Sequence, residues 1–149
     1  MADARRAPSI ARYAAIALIA AAAGPACRDT SREAASLVTA VERYRRAENV
    51  QKPAMAAALA AVPCEDADVC AAKAACVDAS EPTAKGLALK AEVEAGLAAV
   101  KAGTLAPDDP AARELPPKLE EASRLLERGH AALEACDAKV LALKLRYHV

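Results

Sequence analysis

The chain has 149 residues, no Trp or Phe, and 20 basic side chains that balance 20 acidic ones. This length suffices for one domain, and the neutral balance argues against the basic surface of a nucleic-acid-binding protein. Three Tyr are the only aromatic residues, which argues against a stacking platform for bases or flat cofactors. Because Ala and Leu favour helix and β-branched residues are few, the composition predicts an all-α fold. We expect no cofactor.

The first 26 residues have the order of an export signal peptide: a basic segment, an apolar run, and small residues before a cleavage point. The apolar run, Ala14–Ala23, is shorter than the about 20 residues that a transmembrane helix needs. We therefore expect a signal peptide over residues 1–26 and an exported protein. An N-terminal anchor helix that stays attached is the alternative. The basic residues are Arg5, Arg6 and Arg12.

The sequence Gly24-Pro25-Ala26-Cys27 resembles the lipobox of bacterial lipoproteins, in which the cysteine becomes the mature N-terminus and carries lipid. Ala26 and Cys27 match the pattern, whereas Gly24 stands where the family usually has Leu. In that family the next residue directs sorting, and Arg28, which is not Asp, implies the outer membrane. The resemblance covers the signal and these four residues. It implies a lipid anchor at Cys27 in an outer-membrane protein that faces the periplasm.

Two helices are predicted next. The pattern from Thr30 to Glu33 is that of a capping box, which predicts Thr30 as the N-cap of a helix over Ser31–Glu48. A short second helix is predicted to follow. Pro53 suits its first turn, and Pro63 ends it. The apolar face of this second helix consists of Met55, Leu59 and Val62.

A further helix is predicted to start at Ser80, as N-cap, with Pro82 in its first turn. It should run to about Ala102, where Gly103 supplies the C′ stop. Glycines inside helices are unfavourable, so those on the apolar faces predict places where two backbones cross closely. For the first of them, a position near a helix end without such a role is the alternative. These glycines are Gly86, Gly96 and Gly129.

Residues 104–116 form a Pro-rich linker, within which 111–115 can form a turn. Over Pro117–Tyr147, apolar and small residues recur in alternating steps of three and four, which is a heptad seam. It predicts a long C-terminal helix with one buried face. Together the elements predict an antiparallel, disulfide-stapled bundle of three to five helices in a single domain over 27–149. The seam residues are Leu119, Ala122, Leu126, Gly129, Leu133, Cys136, Val140, Leu143 and Tyr147.

Apart from the lipidation site, the exported chain has four cysteines, an even number that predicts two disulfides in an oxidising compartment. If Asp66 is an N-cap, the chain before it folds back onto the fourth helical residue, which favours a Cys64–Cys70 bond. The remaining bond, Cys76–Cys136, closes a loop of about 60 residues. The alternative pairing is Cys70–Cys136 with Cys64–Cys76, which requires a broken segment there.

Glu127, His130 and Glu134 are candidate metal ligands, because Glu-x-x-His is the ligand pattern of carboxylate-bridged metal bundles. Such sites need a second motif on another helix, and the chain has none. We therefore expect no metal and a solvated helix flank instead. A second acidic group lacks the calcium-loop pattern and suits the first turn of a helix. This acidic group consists of Glu65, Asp66 and Asp68.

No nucleophile elbow, phosphate loop or dinucleotide fingerprint occurs in the sequence, so we do not expect an enzyme. The expected function is that of a non-enzymatic envelope lipoprotein, either a structural or a protein-interaction module. The alternative is a small-ligand or metal-binding periplasmic helical protein that uses Glu127, His130 and the acidic group. A thiol oxidoreductase is a third hypothesis, which the absence of a Cys-x-x-Cys motif disfavours.

Overall fold

The computed structural model describes the backbone of residues 24–149 and the side chains from residue 29 onward. Within this range the fold is all-α, as predicted, and no residue lies in a strand. Residues 1–23 of the predicted signal peptide and the side chain of Cys27 lie outside the described part. The elements are α1 Gly24–Arg46, a 3-10 turn Asn49–Gln51, α2 Lys52–Ala60, α3 Ala67–Lys101, α4 Pro110–Arg113 and α5 Leu115–Tyr147.

The two longest helices, α3 and α5, form an antiparallel hairpin. At its base, where α3 begins and α5 ends, Arg146 pairs with Asp68. Further along, Lys118 Nζ lies 2.9 Å from Glu92 Oε2. The long C-terminal helix that the heptad pattern predicts is therefore confirmed. It begins two residues before Pro117, because a proline is tolerated in a first turn, where its missing N–H has no helical partner.

The helices α1 and α2 cover only one half of this hairpin. From Glu33, which lies beside Asp66, α1 runs along α3 to Tyr44, which contacts Ser80. The buried clusters that α1 and α2 share with the hairpin reach along α3 no further than Ala84. We call the far end of the hairpin, residues 93–119, the hairpin tip. The main buried cluster consists of Ala34, Leu37, Val38, Val41, Leu59, Val62, Val69, Ala72, Cys76, Ala79, Cys136, Val140 and Leu143.

The prediction that Thr30 caps α1 is wrong. The helix already begins at Gly24, so Thr30 lies inside it. The carboxylate of Glu33 does not close a capping box; it accepts hydrogen bonds from the backbone N–H groups of Glu65 and Asp66, just before α3. A capping-box pattern is a local signal, and here a tertiary contact takes the acidic side chain.

The prediction of a helix start at Ser80 is also wrong, because α3 is one helix that passes through Pro82. A proline inside a helix removes one backbone hydrogen bond and typically costs about 3 kcal/mol. The carbonyl that loses its helical donor is that of Asp78. Thr83 Oγ1 donates to the neighbouring carbonyl oxygen of Ala79 at 2.7 Å, which adds a hydrogen bond beside the break. Pro82 is itself buried. Packing against the bundle therefore keeps α3 continuous where the local sequence favours a new start.

Tyr44 supplies a second hydrogen bond at this point, since its hydroxyl donates to the carbonyl oxygen of Ser80 at 3.2 Å. Burial raises the pKa of the Tyr44 phenol. We expect Y44F to lower the free energy of unfolding by about 1 kcal/mol, which is typical for the loss of one buried neutral hydrogen bond. Urea unfolding of the full chain measures this loss.

The control for Y44F is Y147F near the end of α5, where the ring is only partly buried. It removes the same hydroxyl from a different environment, and we expect a change of less than about 0.5 kcal/mol. Equal losses in both variants would contradict the role given to the Tyr44 hydroxyl.

Gly86 and Gly129 mark close approaches of the α3 and α5 backbones, as predicted, whereas Gly96 faces only the side chain of Leu115. A Cβ at Gly86 would lie 2.9 Å from the carbonyl oxygen of Ala122, and a Cβ at Gly129 would lie 2.9 Å from that of Ala79. Both positions therefore need a residue without a side chain. At Gly103 φ is +73°, so α3 stops where the sequence predicts, with a left-handed residue after its last turn.

The heptad seam of α5 faces α3 along most of its length, but two of its leucines keep contact with solvent. Leu119 is 45% exposed and Leu133 is 40% exposed. A contact between two helices covers a narrow stripe of each, so residues at the margin of the stripe stay partly accessible. The fully buried seam residues are Ala122, Gly129, Cys136, Val140 and Leu143.

Candidate functional site

The described residues form two disulfides, and they are the pairs that the spacing predicts. Cys76 and Cys136 join α3 to α5 with a Cα–Cα distance of 4.6 Å, and both are buried in the main core. Cys64 and Cys70 are 5.3 Å apart between Cα atoms, and both are only partly buried. One bond therefore locks the hairpin from inside. The other ties the start of α3 to the segment that precedes it and remains near the surface.

Asp66 explains why the second pair forms. Its carboxylate accepts hydrogen bonds from the backbone N–H groups of Asp68 at 2.9 Å and Val69 at 3.1 Å, which confirms it as the N-cap of α3. Cys64 is then two residues before the cap and Cys70 is the fourth helical residue, an arrangement that brings the two positions together. The acidic group predicted here thus serves the start of the helix.

Glu33 is a functional candidate that sequence reasoning missed. One of its carboxylate oxygens and the sulfurs of Cys64 and Cys70 all lie within 4.8 Å of one another. We call these three residues the Glu33 corner. Glu33 is distant from both cysteines in the sequence, and helical periodicity shows neither which loop it faces nor that its carboxylate binds the N–H groups there. Only the packing of α1 on the start of α3 brings the three residues together.

A cleft of about 460 Å³ opens beside the Glu33 corner. Three carboxylates and one guanidinium lie at the walls of this cleft, so the net charge of its lining is negative. Because Cys64 lines the cleft, the Cys64–Cys70 bond is reachable from solvent, in contrast to the buried bond between α3 and α5. The lining residues are Asp29, Arg32, Glu33, Ser36, Pro63, Cys64 and Glu65.

The three predicted metal ligands on α5 do not lie in a cluster of ligand-type side chains. Glu127, His130 and Glu134 are all exposed on α5. Among the described residues, the one cluster of three ligand-type side chains is the Glu33 corner, and it contains none of the three. Their surroundings match the solvated helix flank that the sequence predicts.

An apolar cleft of about 270 Å³ lies at the hairpin tip, between the end of α3 and the start of α5. Two leucines at its walls are strongly exposed: Leu97 by 53% and Leu119 by 45%. None of the residues that line the cleft is charged. The surface therefore offers burial to an apolar group and no polar chemistry. The lining residues are Val93, Leu97, Val100, Pro107, Ala112, Leu115, Pro116 and Leu119.

The charged groups near the end of α1 are used within the fold. Lys52 Nζ donates to the carbonyl oxygens of Tyr44 at 2.5 Å and Arg45 at 3.1 Å, the last turn of α1. Burial lowers the pKa of the Lys52 ammonium. The hydrogen bond from Lys144 to Glu42, 2.8 Å long, lowers the pKa of the Glu42 carboxyl together with the positive charge of that lysine. Lys52 thus stabilises the end of α1, and the Lys144–Glu42 pair stabilises the contact between α5 and α1. These charged groups do not form a basic surface patch.

Within residues 24–149, no helix combines the length and the apolarity needed to span a bilayer. Besides the two clefts, the half-buried disulfide and the exposed leucines, the described residues form a third cleft of about 530 Å³ between α1 and α2. No protein-family model matches the chain, and it has no significant match among curated proteins or among solved structures.

Proposed function

We propose that the protein is an exported lipoprotein of the cell envelope, anchored by lipid at Cys27 in the outer membrane and facing the periplasm. Its role is non-enzymatic: it is a protein-interaction module whose partner docks on the hairpin tip. The two disulfides support export, because such bonds persist in oxidising compartments. The apolar cleft at the tip supports the interaction.

The observation that carries the interaction role is the pair of exposed leucines at one apolar cleft. Leu97 and Leu119 come from different helices, yet both line the same cleft. Exposed apolar side chains that cluster around a concavity are typical of interaction sites, whereas isolated ones are ordinary. Because no charge lines this cleft, the partner should insert an apolar side chain and gain affinity from its burial.

The position of the tip fits a protein held at its other end. Glu33 packs at the base of the hairpin, so the segment of α1 that contains Cys27 starts at the base. Over its length α3 rises about 50 Å, which separates the tip from the base by that distance. An anchor at Cys27 would therefore leave the tip directed away from the membrane, where a partner can reach it.

Site-specific photocrosslinking in intact cells tests the docking role. A photoreactive residue at Glu120, next to the cleft, should give a discrete adduct with another protein. L97E should abolish that adduct, because a carboxylate cannot be buried in an apolar cleft without a partner. As Leu97 is 53% exposed, we expect the substitution to change stability by less than about 0.5 kcal/mol.

The matched control is L141E, since Leu141 is 57% exposed on the other half of α5. It introduces the same charge outside the tip and should leave the adduct unchanged. An adduct that survives L97E, or the recovery of free monomer alone, would contradict the proposed docking site.

The envelope location has its own test, the intact mass of the protein from the membrane fraction. We expect a chain that begins at Cys27 and carries lipid, with four further cysteines that react with an alkylating agent only after reduction. An unprocessed chain with free thiols would place the protein in the cytoplasm and remove the basis for an envelope role.

A further inference from the structure

We propose that the Glu33 corner is a redox-gated metal site. While the Cys64–Cys70 disulfide is closed, the corner has no thiolate to offer. When a dithiol reductant opens the bond, the two sulfurs and the Glu33 carboxylate bind a divalent cation of the Zn²⁺ type. This inference rests on the base of the hairpin and is independent of the docking role of the tip.

The geometry of the corner suits a tetrahedral ion. The carboxylate oxygen and the two sulfurs lie within 4.8 Å of one another. Zinc binds sulfur at about 2.3 Å and carboxylate oxygen at about 2.0–2.2 Å, so neighbouring ligand atoms in such a site are roughly 3.5 Å apart. Once the bond is broken, the two sulfurs separate from bonding distance to about this spacing, and the carboxylate oxygen already lies within 4.8 Å of both. Three protein ligands leave a fourth position open to water, as in catalytic zinc sites.

Glu33 is held in place for this role by hydrogen bonds from outside the ligand set. The backbone N–H groups of Glu65 and Asp66 donate to its carboxylate, and these residues directly precede α3. Metal ligands are typically oriented in this way by a second layer of donors and acceptors. The carboxylate is thus positioned beside the sulfurs whether or not a metal is bound.

The difference in burial between the two disulfides makes the gate selective. Cys76 and Cys136 are only 2% and 4% exposed, whereas Cys64 lines an open cleft. Thiol–disulfide exchange needs access of the attacking thiolate to a sulfur. A reductant in solution therefore reaches the Cys64–Cys70 bond first and leaves the bond inside the hairpin closed.

The chemistry balances in two steps. One thiolate of the dithiol attacks Cys64 Sγ, and Cys70 leaves as a thiolate, which takes a proton from solvent. The second thiol of the reductant then displaces Cys64 Sγ, so the reductant becomes a cyclic disulfide and both cysteines become thiols, a two-electron reduction. Binding of Zn²⁺ displaces the two thiol protons to solvent.

The test uses the full chain with C27S, which removes the one other thiol. After mild treatment with dithiothreitol and its removal, Zn²⁺ binding is measured by competition with a chromogenic chelator. Cd²⁺ then serves as a spectroscopic probe through its sulfur-to-metal charge-transfer absorption. We expect one equivalent of Zn²⁺ per reduced chain, none on the oxidised chain, and a thiolate signal with Cd²⁺. Mass after alkylation should show two free thiols, with Cys76–Cys136 intact.

Two carboxylate variants identify the third ligand. E33Q keeps an amide oxygen that can accept the backbone hydrogen bonds, and it should weaken Zn²⁺ binding at least about tenfold. E65Q changes a neighbouring carboxylate of the same cleft and should leave the affinity unchanged. Circular dichroism confirms that both variants fold. Four free thiols after mild reduction, equal binding by oxidised protein, or full affinity in E33Q would each overturn the proposal.

Discussion

Replacing Cys76 and Cys136 together by alanine (C76A/C136A) should lower the free energy of unfolding by about 4 kcal/mol. The bond joins residues 60 apart in sequence, and closing so long a loop removes much conformational freedom from the unfolded chain. Both side chains are also buried in the core, where the smaller alanines leave unfilled space. Guanidinium unfolding of the full chain under non-reducing conditions measures the loss.

The double variant C64A/C70A is the matched control, because it removes the same atoms from cysteines only 6 apart in sequence. The chain-entropy model gives that bond about 2 kcal/mol. We therefore expect C64A/C70A to remain the more stable variant by about 2 kcal/mol. If the two double variants lost the same stability, loop length would not be the source of the effect.

Among single substitutions, Gly129→Ala should have a large effect, a loss of about 2 kcal/mol in the free energy of unfolding. The new methyl group would collide with Thr83 Oγ1 and lie 2.9 Å from the carbonyl oxygen of Ala79. Overpacking of this kind costs typically about 1–3 kcal/mol, and we expect about 3 kcal/mol here because backbone atoms cannot move aside as a side chain can. The better helix propensity of alanine returns about 1 kcal/mol. Thermal or denaturant unfolding measures the balance.

Gly96→Ala is the control for this prediction. Its methyl group would lie 2.5 Å from Leu115 Cδ2, which is the end of a flexible side chain that can change rotamer. Relief of that contact and the gain in helix propensity should nearly cancel, so we expect a change within about 0.5 kcal/mol. A loss as large as that of G129A would show that the two glycines do not differ in the way the contacts indicate.

The features that local sequence determines were predictable. Asp66 caps α3 and places Cys64 beside Cys70, because capping geometry depends on residues within one turn. Gly103 ends the helix for the same reason, since few other residues adopt its φ of +73°. The heptad period of α5 likewise predicts which face meets α3, and Cys136 is buried on that face.

The errors in the helix boundaries arise where tertiary contacts override a local signal. The sequence around Pro82 favours a helix start, but Thr83 and Tyr44 donate hydrogen bonds to carbonyl groups beside it, and its ring is buried. At the start of α1 the acidic residue of the apparent capping box, Glu33, binds the segment before α3 instead. Tyr44 is 36 residues from Ser80, and Glu33 is 32 residues from Glu65, so neither contact follows from a local pattern of residues.

The two candidate sites differ in how far sequence could indicate them. The cysteines of the Glu33 corner were identified, but the carboxylate beside them depends on how α1 packs. The apolar cleft at the tip was not predicted, because Leu119 fits the heptad seam and the pattern therefore predicts its burial. It is 45% exposed, because the other helices do not extend their buried contacts this far along the hairpin.

The position of the Cys76–Cys136 bond also decides what a protease can do to this molecule. The residues between the two cysteines form a closed covalent ring, and the loop at the far end of that ring is exposed at Ala106, Pro107 and Asp108. A single cut in the loop opens the ring without releasing either piece, since the bond still holds α3 and α5 together. The nicked protein would run as one species on a non-reducing gel and as two after reduction, with its packed half undisturbed.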